Sequence, residues 1–270
     1  TVVRADPMRA EEVAPVLAGH QAVVNLVGRP ILCRWTRRNK AAIQASRLLS
    51  TSNLASAIAK AGNAAPKVLI NASAVGYYGD RGDEPLSEEA PAGTDFLAQL
   101  AVAWEKAALQ AADAGCRVVC LRLGVVLGPD GGALAAMLPA YRFGLGSPLG
   151  SGRQWFAWLH IADCCRIVLA ALENEQISGP VNCVASTPLR QRDFSRALAT
   201  ALRRPHFLPA VPASVLRFLL GEMATVLLAS QRAAPSKLLQ AGFSFLFPDI
   251  HRALASILTK NSATTASRPS

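Results

Sequence analysis

The 270-residue chain contains no apolar run of the roughly eighteen residues a membrane-crossing helix needs, so no helical span is expected. The stretch 211–220 comes nearest, and Arg217 and Gly221 break it. None of the six cysteines (Cys33, Cys116, Cys120, Cys164, Cys165, Cys183) forms a CxxC pair. Most sit in apolar surroundings, which points to buried free thiols in a reducing compartment. The histidines lie far apart, so no metal site is expected. No signal-peptide pattern is visible. The cytoplasm is the expected location, with a plastid as the alternative.

Acidic residues are scarce: 18 against 28 Lys and Arg, for a net charge of +10. The excess reads either as a compositional bias or as attraction to an anionic ligand such as a nucleotide. It does not read as a nucleic-acid surface. The basic residues are scattered, the densest group (Arg34, Arg37, Arg38, Lys40) is short, and no nucleic-acid module is recognisable. Charged residues are only 17% and hydrophobic residues 51%, enough for one large or two small packed domains.

Short β-rich apolar runs alternate with helical patterns. Strands are expected at 1–5, 22–27, 68–72, 117–123 and 181–184. Helices are expected at 10–17, 37–61, 96–114, 132–142 and 161–173. This alternation implies βαβ units around a parallel sheet covered on both faces. From about residue 186 the pattern turns helical, with helices at 191–202, 213–220, 223–228 and 248–260 and a Pro-rich extended link at 205–212. The expected organisation is a sheet domain over 1–185, a smaller lobe over 186–260 and a disordered polar tail over 261–270.

Several segments share an order. Asn25-Leu26-Val27-Gly28 closes one strand, and Asn71-Ala72-Ser73-Ala74-Val75-Gly76-Tyr77-Tyr78-Gly79 closes the next. Leu121-Arg122-Leu123-Gly124 follows, then the aromatic stretch from Gly150 to Asp163, then Gly179-Pro180-Val181-Asn182. Together they resemble the NAD-dependent epimerase/dehydratase branch of the short-chain dehydrogenases. The closer likeness is to an atypical epimerase-family subgroup also labelled SulA-like cell-division inhibitors, and residues 235–243 resemble that subgroup's C-terminal domain. The resemblance implies an α/β, Rossmann-like doubly wound parallel sheet with a small C-terminal helical lobe. It implies NADP(H) as cofactor and a small-molecule substrate.

The family opens with a strand, a glycine-rich turn, a helix and a second strand, and no such motif occurs here. The chain also starts on Thr1 rather than Met. An N-terminally shortened fragment is therefore expected. Residues 1–6 would match the family's third strand, residues 22–27 would present an open strand edge, and dinucleotide binding would be weak or absent.

The resemblance assigns site residues. Asp6 would approach an adenine ring, or serve as a solvated turn residue before Pro7. Asn25, Leu26, Val27 and Gly28 would end a strand at the ligand edge of the sheet, with Gly28 giving room for close approach. Ala72, Leu123 and Gly124 would continue that edge. Arg47 could contact a phosphate, or be a surface arginine. Ser73 would bond the reacting carbonyl or hydroxyl, or cap its strand. The superfamily's Tyr-x-x-x-Lys pair is missing: aligning Glu105 with the family's helix acid places Leu97 and Ala101 there, and neither transfers a proton. Tyr78 is the expected substitute acid, with Tyr77 and Glu88 as alternatives. Arg153, Gln154, Trp155 and Trp158 would line a substrate pocket, or form a packed hairpin between the lobes. His160 and Asp163 read as structural residues at a strand-to-helix junction.

Two functional expectations follow from the resemblance. One is an NADP(H)-linked oxidoreductase or epimerase. The other is a nucleotide-sensing or scaffold protein without turnover, acting in division of a bacterium or a plastid.

Overall fold

The computed structural model describes residues 1–17 and 19–265. The sheet at its centre holds β1 (Ala22–Asn25), β2 (Val68–Ala74), β4 (Arg117–Leu123) and β7 (Gly179–Cys183), all parallel and adjacent in that order. The strand alternation decides which side chains go where. Leu69, Val118 and Cys120 point to one face, against α1 (Ala10–Leu17), α2 (Arg37–Ala61) and α3 (Phe96–Leu109). Val68, Ile70, Val119 and Leu121 point to the other, against α5 (Ile161–Glu173). Both faces being apolar is why these strands read as continuous hydrophobic runs. The architecture is α/β and Rossmann-like.

The two helices beside the shelf start on side-chain caps that fix where they begin. Thr36 accepts the Asn39 N–H at 3.2 Å ahead of α2, and Asp95 accepts the Ala98 N–H at 2.9 Å ahead of α3.

The C-terminal part is helical. α6 (Gln191–Ala201) and α10 (Ile250–Thr265) pack with α4 (Gly132–Arg142) around Leu127, Leu138, Trp158, Phe194 and Leu254. Between α6 and α10 lie α7 (Ala213–Leu220), α8 (Thr225–Leu228) and α9 (Ser236–Gln240). One small parallel pair ties this part to the sheet domain, β3 (Pro85–Leu86) with β8 (Arg232–Ala233), and a second, β5 (Val125–Leu127) with β6 (Trp158–His160), packs against it. These two-stranded pairs are too short for periodicity to reveal.

Several expectations are corrected. Residues 1–5 form no strand: with no neighbour to pair, they lie along the surface, and Val2 is 99% exposed. Asp6 begins a turn instead, its Oδ1 accepting the Met8 N–H at 2.9 Å ahead of α1. β1 stops at Asn25, and β2 runs on to Ala74. The helix expected over 96–114 tightens into a 3-10 turn at Gln110–Ala114, before Gly115 in a left-handed conformation. α10 continues to Thr265, into the stretch expected to be disordered, and residues 266–270 lie outside the described residues. Among the described residues no strand pairs with the outer edge of β1. Among them, too, no helix is long and apolar enough to cross a membrane.

Candidate functional site

The carboxyl ends of β1, β2, β4 and β7 form one shelf. Strand alternation places Asn25, Asn71, Ser73 and Arg122 on the α2/α3 face at that end, beyond the apolar residues of the same face. Register then sets Ser73, Arg122 and Asn182 side by side across β2, β4 and β7.

These polar groups bond to one another. Arg122, 2% exposed, meets Glu105 of α3 in a two-pronged ion pair, Nε to Oε1 at 2.8 Å and Nη2 to Oε2 at 2.9 Å. Ser73 donates to Glu105 Oε1 at 2.6 Å. Arg122 Nη1 donates to the Tyr78 hydroxyl at 2.9 Å and to the Glu88 carbonyl at 3.0 Å. The Tyr78 hydroxyl in turn donates to Asn182 Oδ1 at 2.7 Å. Asn182 Nδ2 reaches the carbonyls of Leu86 and Ala234, and Glu88 Oε1 accepts the backbone N–H groups of Asn182 and Lys237. The chain of bonds therefore runs from the end of β2 into the C-terminal part.

This network relocates the two expected catalytic residues. Ser73 is 3% exposed and Tyr78 is fully buried. Both hydroxyls are spent inside the protein, where they hold Glu105 and Asn182 rather than face a cleft. Burial pushes the Tyr78 hydroxyl up to about 12, against the neighbouring Arg122, which lowers it. The unfolded chain ionises this tyrosine near its ordinary value of 10.0, while the folded protein keeps it neutral. Stability is therefore expected to fall as pH rises from about 10 to 12. Urea midpoints measured over that range should drop less steeply in Tyr78→Phe than in the parent protein.

Asn25 is likewise turned inward. Its amide donates to Asn71 Oδ1 at 2.6 Å and to Thr51 Oγ1 at 3.0 Å, and the Trp104 indole N–H also donates to Thr51 Oγ1. Its role is to tie β1 to β2 and α2. Leu26, Val27 and Gly28 lie at the open lip, with Leu26 64% exposed. The space a side chain at Gly28 would fill holds the Arg47 guanidinium, 3.0 Å from an ideal Cβ. Arg47 lies over the Trp104 ring at 5.0 Å and donates to the carbonyls of Arg29 and Ile43. Burial holds it below the usual arginine range. Among the described residues no carboxylate pairs with it. A partly desolvated cation beside exposed apolar surface fits a ligand that joins rings to phosphates.

Ala72 is buried under this lip, and Leu123 and Gly124 stand at the end of β4. Gly124 packs so tightly that a Cβ would fall 2.8 Å from the Ala157 carbonyl oxygen. Of the expected pocket residues, Gln154 is turned into backbone contacts, while Trp158 belongs to the core and also borders the crevice beside Trp155. Gln154 bonds the carbonyls of Leu149 and Leu227, and Trp158 is 2% exposed in the core of the helical part. Arg153 is exposed and Trp155 half-buried, so these two remain accessible. His160 caps α5, accepting the Ala162 N–H at 3.0 Å, and stacks on Phe247. Asp163 accepts the N–H groups of Leu246 and Phe247. On α3, Leu97 packs against Gly76, and Ala101 is 3% exposed.

A family model described as the NAD dependent epimerase/dehydratase family matches residues 1–183. A second, described as a domain of unknown function (DUF1731), matches residues 211–257. The epimerase family protein SDR39U1 homolog, chloroplastic, of Arabidopsis thaliana is 42% identical over 241 residues, covering 89% of this chain and 69% of the relative. The epimerase family protein YfhF of Bacillus subtilis is 39% identical, covering 87% of this chain and 77% of the relative. Among solved structures, human epimerase family protein SDR39U1 (isoform 2) with NADPH superposes with a TM-score of 0.87 at 36% identity, over 93% of this chain and 86% of that one.

Proposed function

Because the chain belongs to the NAD dependent epimerase/dehydratase family, we propose that its strand-end shelf holds NADP(H) in an epimerase-like oxidoreductase. The observation that carries this is Arg47: a partly desolvated guanidinium, without a carboxylate partner among the described residues, set against Gly28 at the carboxyl edge of a parallel sheet. The human relative solved with NADPH supports the choice of cofactor. When bound, the nicotinamide accepts or donates a hydride. Leu26 and Val27 would give apolar contact, Gly28 main-chain approach and Arg47 the charge for a phosphate. Ala72, Leu123 and Gly124 would carry the shelf onward, and Asp6 would stay outside it as a turn residue. Residues 1–185 would form the cofactor part and residues 186–260 the part that covers the substrate.

No Gly-x-Gly-x-x-Gly turn occurs in these residues, so modest affinity is expected. Titrating NADPH against its own fluorescence should give a saturable signal. Arg47→Gln should weaken it about tenfold, the order expected for one charge-assisted phosphate contact. Absence of saturable binding, or equal binding by Arg47→Gln, would remove the proposal.

A second reading takes its support from α3. With Glu105 taken as the family's helix acid, Leu97 and Ala101 would stand at the places of its proton-transferring pair, and the hydroxyls of Tyr78 and Ser73 are buried. On that reading the protein binds the nucleotide without turnover, as a sensor or scaffold tied to cell or plastid division. NADPH oxidation measured against a panel of carbonyl compounds separates the two, since binding without oxidation selects the second.

A further inference from the structure

We propose that Trp155, Arg153 and Arg190 form a binding site for a doubly charged oxyanion, that Asp83 occupies this site as an internal ligand, and that a substrate phosphate or dicarboxylate enters by displacing it. The inference deepens the reading above by naming the charge of the substrate, and it stands on a different cluster of residues.

Asp83 projects from the loop before β3 and is 70% exposed. Its Oδ1 accepts from Arg190 Nη1 at 2.6 Å and from the Trp155 indole N–H at 2.9 Å. Arg190 stacks on the Trp155 ring at 3.7 Å and also donates to the Arg153 carbonyl. Arg232 lies on the same ring at 4.9 Å. One guanidinium, that of Arg190, thus meets the carboxylate directly, Arg153 acts on it through its charge, and Arg232 shares the Trp155 ring; among the described residues no other carboxylate pairs with these three arginines. The excess positive charge is what a monoanion leaves uncompensated and a dianion would neutralise. The Asp83 carboxyl is held below its usual range, chiefly by the Arg190 hydrogen bond and then by that of Trp155, with Arg153 adding to the effect.

Position supports a ligand here. Trp155 and Arg232 border a tight crevice, with room for about one water molecule, together with Ala157, Trp158, Val184 and Gln231. Ala157 abuts Gly124 at the end of β4, and Val184 follows β7 directly. The cluster therefore stands over the ligand edge of the sheet, on the far side of β4 from Arg47. An exposed carboxylate at such a place is held by few contacts and exchanges easily.

The test is a titration with inorganic pyrophosphate, and separately with succinate, following the indole N–H resonances by NMR, with Trp155→Phe giving the assignment. The parent protein should show a saturable shift of the Trp155 resonance that weakens as salt is added. Asp83→Ala should bind about three- to tenfold tighter, and Asp83→Asn should fall between. The paired change Arg153→Gln and Arg190→Gln should abolish the response. Unchanged resonances of Trp35, Trp104 and Trp158 report an intact fold in each variant. No Trp155 shift in any variant, equal affinity with and without Asp83, or a response that survives loss of both arginines would each overturn the proposal. NADPH titration of Asp83→Ala, run alongside, reports the cofactor shelf independently, so either reading can fail alone.

Discussion

Arg122→Met should cost about 3–5 kcal/mol of stability, because it leaves Glu105 buried with no cation to meet it. For a chain of this size that is a fall of roughly 10 °C in Tm. Glu105→Leu should cost a similar amount for the converse reason. The double variant Arg122→Met with Glu105→Leu should be far milder than the sum, since an apolar pair of similar volume needs no desolvation. Thermal and urea unfolding of the three variants tests this. Additive losses, or a single variant within about 1 kcal/mol of the parent, would contradict the role given to the pair. Burial of both partners is what makes the effect large: exposed pairs such as Arg9 with Glu12 should contribute little.

Trp158→Ala should cost about 3–5 kcal/mol, the range for removing a large buried aromatic side chain. The residue packs with Leu127, Phe194 and Leu254 where the β5–β6 pair meets the helical part. Its indole N–H has no hydrogen-bond partner among the described residues. Trp158→Phe should therefore be mild, because the lost area is partly offset by removing an unsatisfied donor. Unfolding midpoints of the two variants test this, and an unfolding curve for Trp158→Ala that overlays the parent would contradict the packing role.

Much of the sheet was legible because burial on both faces writes itself into the sequence as uninterrupted apolar runs. The strands at 117–123 and near 22, 68 and 181 follow from that signal, as do the helices at 10–17, 37–61, 132–142 and 161–173. The strand expected over 1–5 had the right composition, but strand identity needs a partner and among the described residues none pairs with it. The two-residue strands at Pro85 and Arg232 exist only because the chain brings them together.

The site was legible in outline, and the fold adds the direction in which its polar groups point. Motif order located the ends of β1 and β2 to within two residues and that of β4 at Leu123, and for Ser73 it left a ligand contact and a strand cap both open. Arg122 held the missing signal. A charged residue between Leu121 and Leu123 in a buried strand requires a buried counter-charge, and Glu105 is the acidic residue of α3. Counting by twos along β2 and β4 puts Asn71, Ser73 and Arg122 on the face that α3 covers. The Asp83 cluster left no such trace, since its members come from three distant segments and meet only in the folded chain.

Since Asn25, Ser73, Tyr78 and Gln154 are all committed inward, few side-chain hydrogen-bonding groups are left over at the rim of the sheet. On the function proposed above, a molecule settling there would be sorted by its outline and by how many negative charges it carries, with little reading of individual hydroxyl or amide positions. Such a surface tolerates chemical variety in the neutral part of its guest, and broad selectivity among related anions is the behaviour to look for.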